Sequence, residues 1–316
     1  MKAFYIITAI ATGAVILFLI FTLVCFLLVF YSRKRKPLLP GEYEIPKGRI
    51  YEPYREDIIA WTEEMRSLAH ERLSITSHDG LNLCAKYYEY KKGAPVEILF
   101  HGYRGSSERD LCGGVHRCRM LGRNALIVDQ RAAGESDGHV ITFGIKERLD
   151  CKRWIGFAVE KFGEDTEIII TGISMGAATV MMALEDELPR QVVCALADCG
   201  YTSPKDIIKK VLRDLRLPVC IFYPVIRLGA RLFGRFDLEE TSALRGVKNC
   251  KIPIIFIHGE DDNFVPCDMT KNLYSVSTAP KKRLYTVPGA GHGLAFPCDR
   301  ENYYRALKEF EAEYKS

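Results

Sequence analysis

The pattern of apolar and polar positions divides the chain into three parts. From Ala3 to Ser32 no residue is charged and nearly all are apolar. Roughly 20 such residues cross a bilayer core, so this run spans one with tilt to spare. A cleaved signal peptide has a shorter apolar core followed by a small-residue cleavage site. Here the run ends in Phe30-Tyr31-Ser32-Arg33-Lys34-Arg35-Lys36, which predicts an uncleaved transmembrane anchor over residues 3–32. Residues 33–56 are basic at first and then rich in proline, with four prolines between Pro37 and Pro53. They predict an extended linker lifting the rest of the chain off the membrane. Residues 57–316 alternate between short β-branched runs and longer amphipathic stretches, the pattern of one folded domain.

Within that domain, Asp57 to Arg72 places Ile58, Ile59, Trp61, Met65 and Leu68 roughly on one helical face. Leu73–Thr76 and Leu81–Tyr90 flank His78-Asp79-Gly80 as an antiparallel hairpin. Strands are then predicted over 96–101, 125–129, 167–170, 192–198, 252–258 and 283–287. Helices are predicted over 107–121, 146–162 and 301–314, with another directly after Ser174. A hairpin followed by repeated strand–helix units gives an α/β fold: a mostly parallel sheet with helices on both faces. One long interruption, about residues 200–249, separates two strands and is expected to form a helical lid. In it, Lys205–Leu215 sets Ile207, Ile208, Val211 and Leu215 opposite Lys209, Lys210 and Arg213.

Charge and cysteine content narrow the classes. The formal net charge is +4, but residues 1–36 hold Lys2, Arg33, Lys34, Arg35 and Lys36 and no acid. The remainder carries 39 basic against 40 acidic side chains, without the basic stripe a nucleic-acid partner requires. Four basic residues after the span and one before it place the C-terminal side in the cytoplasm. The eleven cysteines are odd in number and sit mostly in apolar runs, as expected of reduced, buried thiols. They show no zinc-ligand spacing and the seven histidines are dispersed, so neither metal nor cofactor is expected.

The chemistry centres on Thr171-Gly172-Ile173-Ser174-Met175-Gly176-Ala177-Ala178. This Gly-x-Ser-x-Gly lies between a buried strand and a helix, the context of a nucleophile elbow. A serine on so tight a turn needs neighbours with little or no side chain, and Gly172, Gly176, Ala177 and Ala178 meet that need. The helix N-terminus sets the Met175 N–H beside the hydroxyl, where negative charge would develop.

Three further motifs share the chain with this elbow: His101-Gly102-Tyr103-Arg104-Gly105-Ser106 at a strand end, Asp129-Gln130-Arg131-Ala132-Ala133-Gly134-Glu135-Ser136-Asp137-Gly138, and His258-Gly259-Glu260-Asp261-Asp262-Asn263-Phe264-Val265-Pro266 followed by Pro288-Gly289-Ala290-Gly291-His292-Gly293. With them, about residues 70–316 resemble the α/β-hydrolase superfamily. The likeness is nearest to its serine aminopeptidase-like and monoacylglycerol lipase-like branch, including membrane-anchored bacterial hydrolases. The resemblance implies Ser174 as nucleophile, Asp262 as triad acid and His292 as base. It also implies the Tyr103 and Met175 N–H groups as oxyanion donors, and His101 and the Asp129 loop as structural. Ala132 departs from the glycine usual at its position. A serine at the elbow sets the chain apart from the dehalogenases and epoxide hydrolases of this fold, which use aspartate there.

The expected activity is hydrolysis of small or lipid-like carboxylic esters through an acyl-enzyme. A peptidase or thioesterase of the same fold, or a non-catalytic membrane scaffold, are the alternatives. An aminopeptidase would need carboxylates near the pocket, and Glu260 and Asp261 are the candidates. Residues 203–235 carry eight basic side chains against two acids, interleaved with the apolar run 219–226. This predicts either a lid that leans on an anionic bilayer surface or an ordinary packed insertion with a solvated basic face.

Overall fold

The structure, a computed structural model, describes residues 1–34, 38–39 and 41–316. Among the described residues, eight strands form one sheet: β1 (Glu71–Thr76), β2 (Asn82–Tyr88), β3 (Val96–Phe100), β4 (Asn124–Val128), β5 (Ile168–Ile173), β6 (Val192–Asp198), β7 (Ile254–Gly259) and β8 (Lys282–Val287). Their order is β1-β2-β4-β3-β5-β6-β7-β8. Strand β2 runs antiparallel to both neighbours, and every pairing from β4 through β8 is parallel. Strands β3 and β4 are buried at every position, because helices cover both faces.

The same residues form the helices α1 (Lys2–Phe30), α2 (Arg55–Ser67), α3 (Ser107–Met120), α4 (Glu147–Phe162), α5 (Met175–Ala183), α6 (Pro204–Asp214), α7 (Val219–Gly229), α8 (Ala243–Lys248), α9 (Cys267–Val276), α10 (Ala295–Cys298) and α11 (Arg300–Lys315). One face of the sheet packs against α4, α5, α8 and α9, the other against α2, α3 and α11. This is the α/β-hydrolase fold, with the elements in the order the sequence pattern predicts. The largest difference is in the first helix of the domain, α2, which ends at Ser67. Residues 71–72 instead extend β1, where Glu71 and Arg72 pair with Tyr87 and Lys86.

Buried charge ties the second face together. Glu97 on β3 is fully buried and ion-paired with Arg117 of α3 and with Arg123 (2.9 Å). It also accepts a hydrogen bond from the Thr171 hydroxyl at 2.8 Å. Burial pushes this carboxyl up, but the two guanidiniums outweigh it and hold it down to about 2. A depressed acid stabilises the fold fully above its ordinary value of 4.5, and that contribution is lost as pH falls toward about 2. Acid unfolding followed by circular dichroism is therefore expected to show a loss in this window. Glu97→Gln should flatten that loss and cost about 3–5 kcal/mol at neutral pH, because it leaves two buried cations without their anion.

Helix α1 departs from the expected picture of an anchor held away from the domain. Lys2–Phe21 is exposed almost throughout, and its 20 residues at 1.5 Å each measure about 30 Å, a bilayer core. The last turns are docked. Thr22, Cys25, Phe26 and Phe30 share one face and are buried against α7 and the π-helical turn Ala230–Gly234. Phe30 meets Phe143 and Phe236 edge-on, with centroids 5.8 and 5.3 Å away. Gly229 lets the helices approach closely, since a Cβ there would lie 3.0 Å from Phe26 Cβ and 3.1 Å from the Thr22 carbonyl.

All four terminal carbonyls of α1, otherwise orphaned, find donors. Leu27 O accepts from Tyr31 N–H, and Leu28 O from Arg104 (2.9 Å). Val29 O accepts from the Tyr103 hydroxyl (2.6 Å), and Phe30 O from Ile141 N–H (2.9 Å). Part of the expected linker is packed on the domain as well. Arg49–Tyr54 forms a 3₁₀ turn, and Ile45, Tyr51 and Tyr54 pack against the core of the second face. Four residues of the expected linker, Arg35, Lys36, Pro37 and Pro40, lie outside the described residues.

Candidate active site

Strand β5 delivers Ser174 to the sheet's C-terminal edge, and α5 starts at the next residue. Ser174 sits at φ 56°, ψ −115°, a conformation that costs a non-glycine residue about 1–3 kcal/mol. The glycines on either side are sterically required. A Cβ on Gly172 would lie 2.1 Å from the Gly176 carbonyl carbon, and one on Gly176 would lie 2.0 Å from the Phe100 carbonyl oxygen. The Ser174 N–H donates to Asp198 O on β6 (2.8 Å), which locks the turn to the adjacent strand. Met175 is the first residue of α5, so its N–H is a first-turn donor without a partner inside the helix.

The three residues assigned from separate motifs meet here. The Ser174 hydroxyl donates to His292 Nε2 at 2.9 Å, and His292 Nδ1–H donates to Asp262 Oδ2 at 2.6 Å. Asp262 follows β7 and His292 follows β8, so two adjacent strands place acid and base beside the elbow. Burial raises the Asp262 carboxyl, but hydrogen bonds from His258 and His292, and from backbone N–H groups, hold it well below the usual carboxylate range. Phe264 N–H and Val265 N–H both donate to Oδ1 at 2.8 Å.

His258 has no role in the sequence reading beyond opening its motif. It is fully buried and contacts the same Asp262 oxygen at 3.0 Å. Its Nε2 faces two acceptors, Asp262 and the Val265 carbonyl (2.8 Å), so that nitrogen carries the proton and Nδ1 faces Thr270 Oγ1 at 2.6 Å. Tyr51 is a second residue that the motifs do not point to. Its hydroxyl donates to the His292 carbonyl at 3.0 Å, tying the stretch before the domain to the base's own loop.

Tyr103 sits in the turn after β3 and lines the cavities at Ser174. Asp110 Oδ2 accepts the Gly102 N–H at 2.9 Å, and Gly105 N–H closes the turn onto Gly102 O at 3.1 Å. His101 is structural: its Nε2 accepts the Gln130 N–H at 3.1 Å and its Nδ1–H donates to Gly102 O at 2.8 Å. In the Asp129 loop, Arg131 is buried between Asp150 (2.6 Å) and Asp79 (3.0 Å), a structural arrangement remote from the serine. Glu260 accepts from the Thr286 hydroxyl, and neither it nor Asp261 lines a cavity at Ser174. Cys199, Asp262 and His292 present possible ligand atoms within 4.8 Å of one another. However, the acid and base engage each other, and burial pushes the Cys199 thiol far up, away from the thiolate that binds metals.

Two cavities meet at Ser174 and Tyr103. One, of about 220 Å³, has mixed walls that include Tyr51, Trp61, Arg109, Asp110 and Asp198. The other, of about 320 Å³, is almost wholly apolar. Ile207, Leu212, Phe222 and Ile226 of the insertion form one part of its wall, Cys25, Leu28 and Val29 of α1 another, and Phe143 and Phe264 a third.

Four of the eight basic residues in 203–235 pair with acids, and a fifth lies over a ring. Arg227 and Arg231 pair with Asp237 at 2.8 and 2.5 Å, and Lys205 pairs with Glu239 at 3.4 Å. Lys210 pairs with Asp214 at 2.5 Å, and Lys209 lies 4.9 Å over the Tyr223 ring. The neutralising acids Asp237 and Glu239 follow just after the basic window.

The fold and the elbow define an α/β hydrolase. Within that superfamily the chain belongs to the prolyl oligopeptidase family, Peptidase_S9, which matches residues 146–315. Among curated relatives, the protein YqkD of Bacillus subtilis is 29% identical over 197 residues, 62% of this chain and 64% of the relative. The lysophosphatidylserine lipase ABHD12 of Danio rerio is 24% identical over 218 residues, 62% of this chain and 51% of the relative. These matches span less than two thirds of either relative. Among solved structures, the Pyrococcus furiosus esterase Pf2001 superposes with a TM-score of 0.64 at 21% identity, covering 89% of this chain and all of the esterase.

Proposed function

We propose that this protein is a membrane-anchored serine hydrolase that cleaves carboxylic esters. The observation that carries the reading is the hydrogen-bonded line from the Ser174 hydroxyl through His292 to Asp262. His292 Nε2 takes the serine proton as Oγ attacks the acyl carbon, and Asp262 holds the tautomer and stabilises the imidazolium. The Met175 and Tyr103 N–H groups receive the developing oxyanion. His292 then protonates the departing alcohol, and water, activated in turn by His292, releases the acid. The apolar cavity suits the acyl chain and the mixed cavity suits the alcohol. The esterase and lipase names of similar proteins agree with this assignment.

The family match supports a second reading, cleavage of a peptide amide. The absence of Glu260 and Asp261 from both cavities weighs against an aminopeptidase. In the proposed arrangement α1 is the anchor, and the basic residues that follow it set the hydrolase on the cytoplasmic side. A fluorophosphonate should label the full-length protein on Ser174 and leave Ser174→Ala unlabelled. Before labelling, the wild type should cleave nitrophenyl esters faster than aminoacyl anilides. Absence of labelling would sink the enzyme reading, and the reverse preference would move the substrate to peptides.

A further inference from the structure

The docked end of α1 and the apolar cavity share a consequence that an anchor alone does not have. Cys25, Leu28 and Val29 form a wall of the cavity that opens on Ser174. Tyr103, which lines both cavities at the same serine, is bonded through its hydroxyl to the Val29 carbonyl. The helix therefore bounds the space where an acyl chain lies, and it also braces the turn expected to hold the oxyanion.

The surroundings of the cavity indicate where the chain comes from. Lys2–Phe21 already accounts for about 30 Å of bilayer core, so the wall residues begin where the hydrocarbon ends. Exposed large apolar side chains gather beside them. Leu215, Ile221, Leu232 and Phe233 of the insertion and Phe264 of the triad loop are all at least 39% exposed, and Leu28 itself is 69% exposed. A cluster of this kind on a chain with a bilayer-length helix marks a surface that meets lipid. Four of the eight basic residues expected to carry this contact are paired with acids, so the apolar cluster is the feature that points to lipid.

We infer that the C-terminal turns of α1 are a specificity-determining wall of the acyl site. The substrate is then a lipid ester whose acyl chain passes from the membrane interface into the cavity between α1, α6 and α7. This rests on the ester reading above and goes beyond it by assigning the anchor a part in choosing the substrate.

The test uses full-length protein in lipid nanodiscs. Leu28→Trp adds bulk at the cavity's α1 rim. It should lower the ratio of kcat/KM for a decanoyl ester over an acetyl ester at least tenfold, since each displaced methylene is worth about fourfold. Leu17→Trp, on the exposed part of the same helix, should leave that ratio unchanged. A decyl fluorophosphonate carrying a diazirine at its chain end gives an independent readout on the wild type. After reaction with Ser174, its chain end should crosslink to the peptide containing residues 25–29.

An unchanged ratio in Leu28→Trp, or crosslinks that miss the peptide containing residues 25–29, would overturn the inference. Failure of the probe to label Ser174 at all would instead overturn the ester reading on which it rests. The wild-type crosslink decides the matter even where the tryptophan variant does not fold.

Discussion

Replacing Ser174 by alanine is expected to lower kcat for ester hydrolysis by about 10⁴-fold or more while the melting temperature stays the same or rises slightly. The first part follows from the line of hydrogen bonds: without Oγ, His292 has no nucleophile to activate. The small remaining rate would come from water attacking an ester held by the oxyanion donors. The second part follows from the geometry of the elbow. The residue stays at φ 56°, the strain is the same for alanine, and the glycines that permit the turn are untouched. The lost hydroxyl bonded only His292 among the described partners. Steady-state kinetics and a thermal melt on the same preparation check both halves. A variant that keeps most of its activity would remove Ser174 from the mechanism.

Asp262→Asn should lower kcat/KM by about 10⁴-fold and, unlike the serine change, should also reduce stability. The amide oxygen can still accept the Phe264 and Val265 N–H groups, but the amide NH₂ would replace an oxygen that receives N–H from both His292 and His258. His292 then has to turn an unprotonated Nδ1 toward the amide. Its proton moves to Nε2, which can no longer accept from Ser174. His258 cannot adapt in the same way, because its Nε2–H also serves the Val265 carbonyl. The stability effect has a definite sign with pH. Asp262 is depressed below its ordinary value, so its contribution is present above the usual carboxylate range and disappears as pH falls below it. The wild type and the variant should therefore converge in stability at acid pH and separate toward neutrality. Asp261→Asn, one residue away and exposed, should match the wild type in both measurements. If it loses more activity than Asp262→Asn, the acid is misassigned.

Ser174 was legible from a local steric requirement, and Asp262 and His292 from the likeness of their turns to those of the α/β-hydrolase superfamily. The glycines around Ser174 are needed within five residues of chain, and the turns carrying Asp262 and His292 directly follow strands with a clear β-branched or apolar pattern. Parallel strands bring successive strand ends to one edge of a sheet, so motifs far apart in the chain meet without further information. His258 was harder to assign. A histidine at a buried strand end reads as a core residue, and only the fold of the Asp262 loop turns the carboxylate back onto it. The surplus of basic residues in the insertion suggests a membrane-facing charge only in a window that stops at Arg235, while the chain bends Asp237 back onto Arg227 and Arg231.

By itself the sequence determined the order of strands and helices, the position of the elbow and the presence of a helix long enough to cross a bilayer. All of these rest on periodicity, turn sterics and length, which act between near neighbours. Only the tertiary structure decided that this helix is docked on the domain and lines a cavity. The helix is apolar on every side, so no periodicity distinguishes the face carrying Thr22, Cys25, Phe26 and Phe30 from the face left exposed. The choice is made by what lies across from it: Gly229, which lets the helices approach, and Phe143, Phe236 and Tyr103, which are more than 70 residues away and are brought there by the sheet.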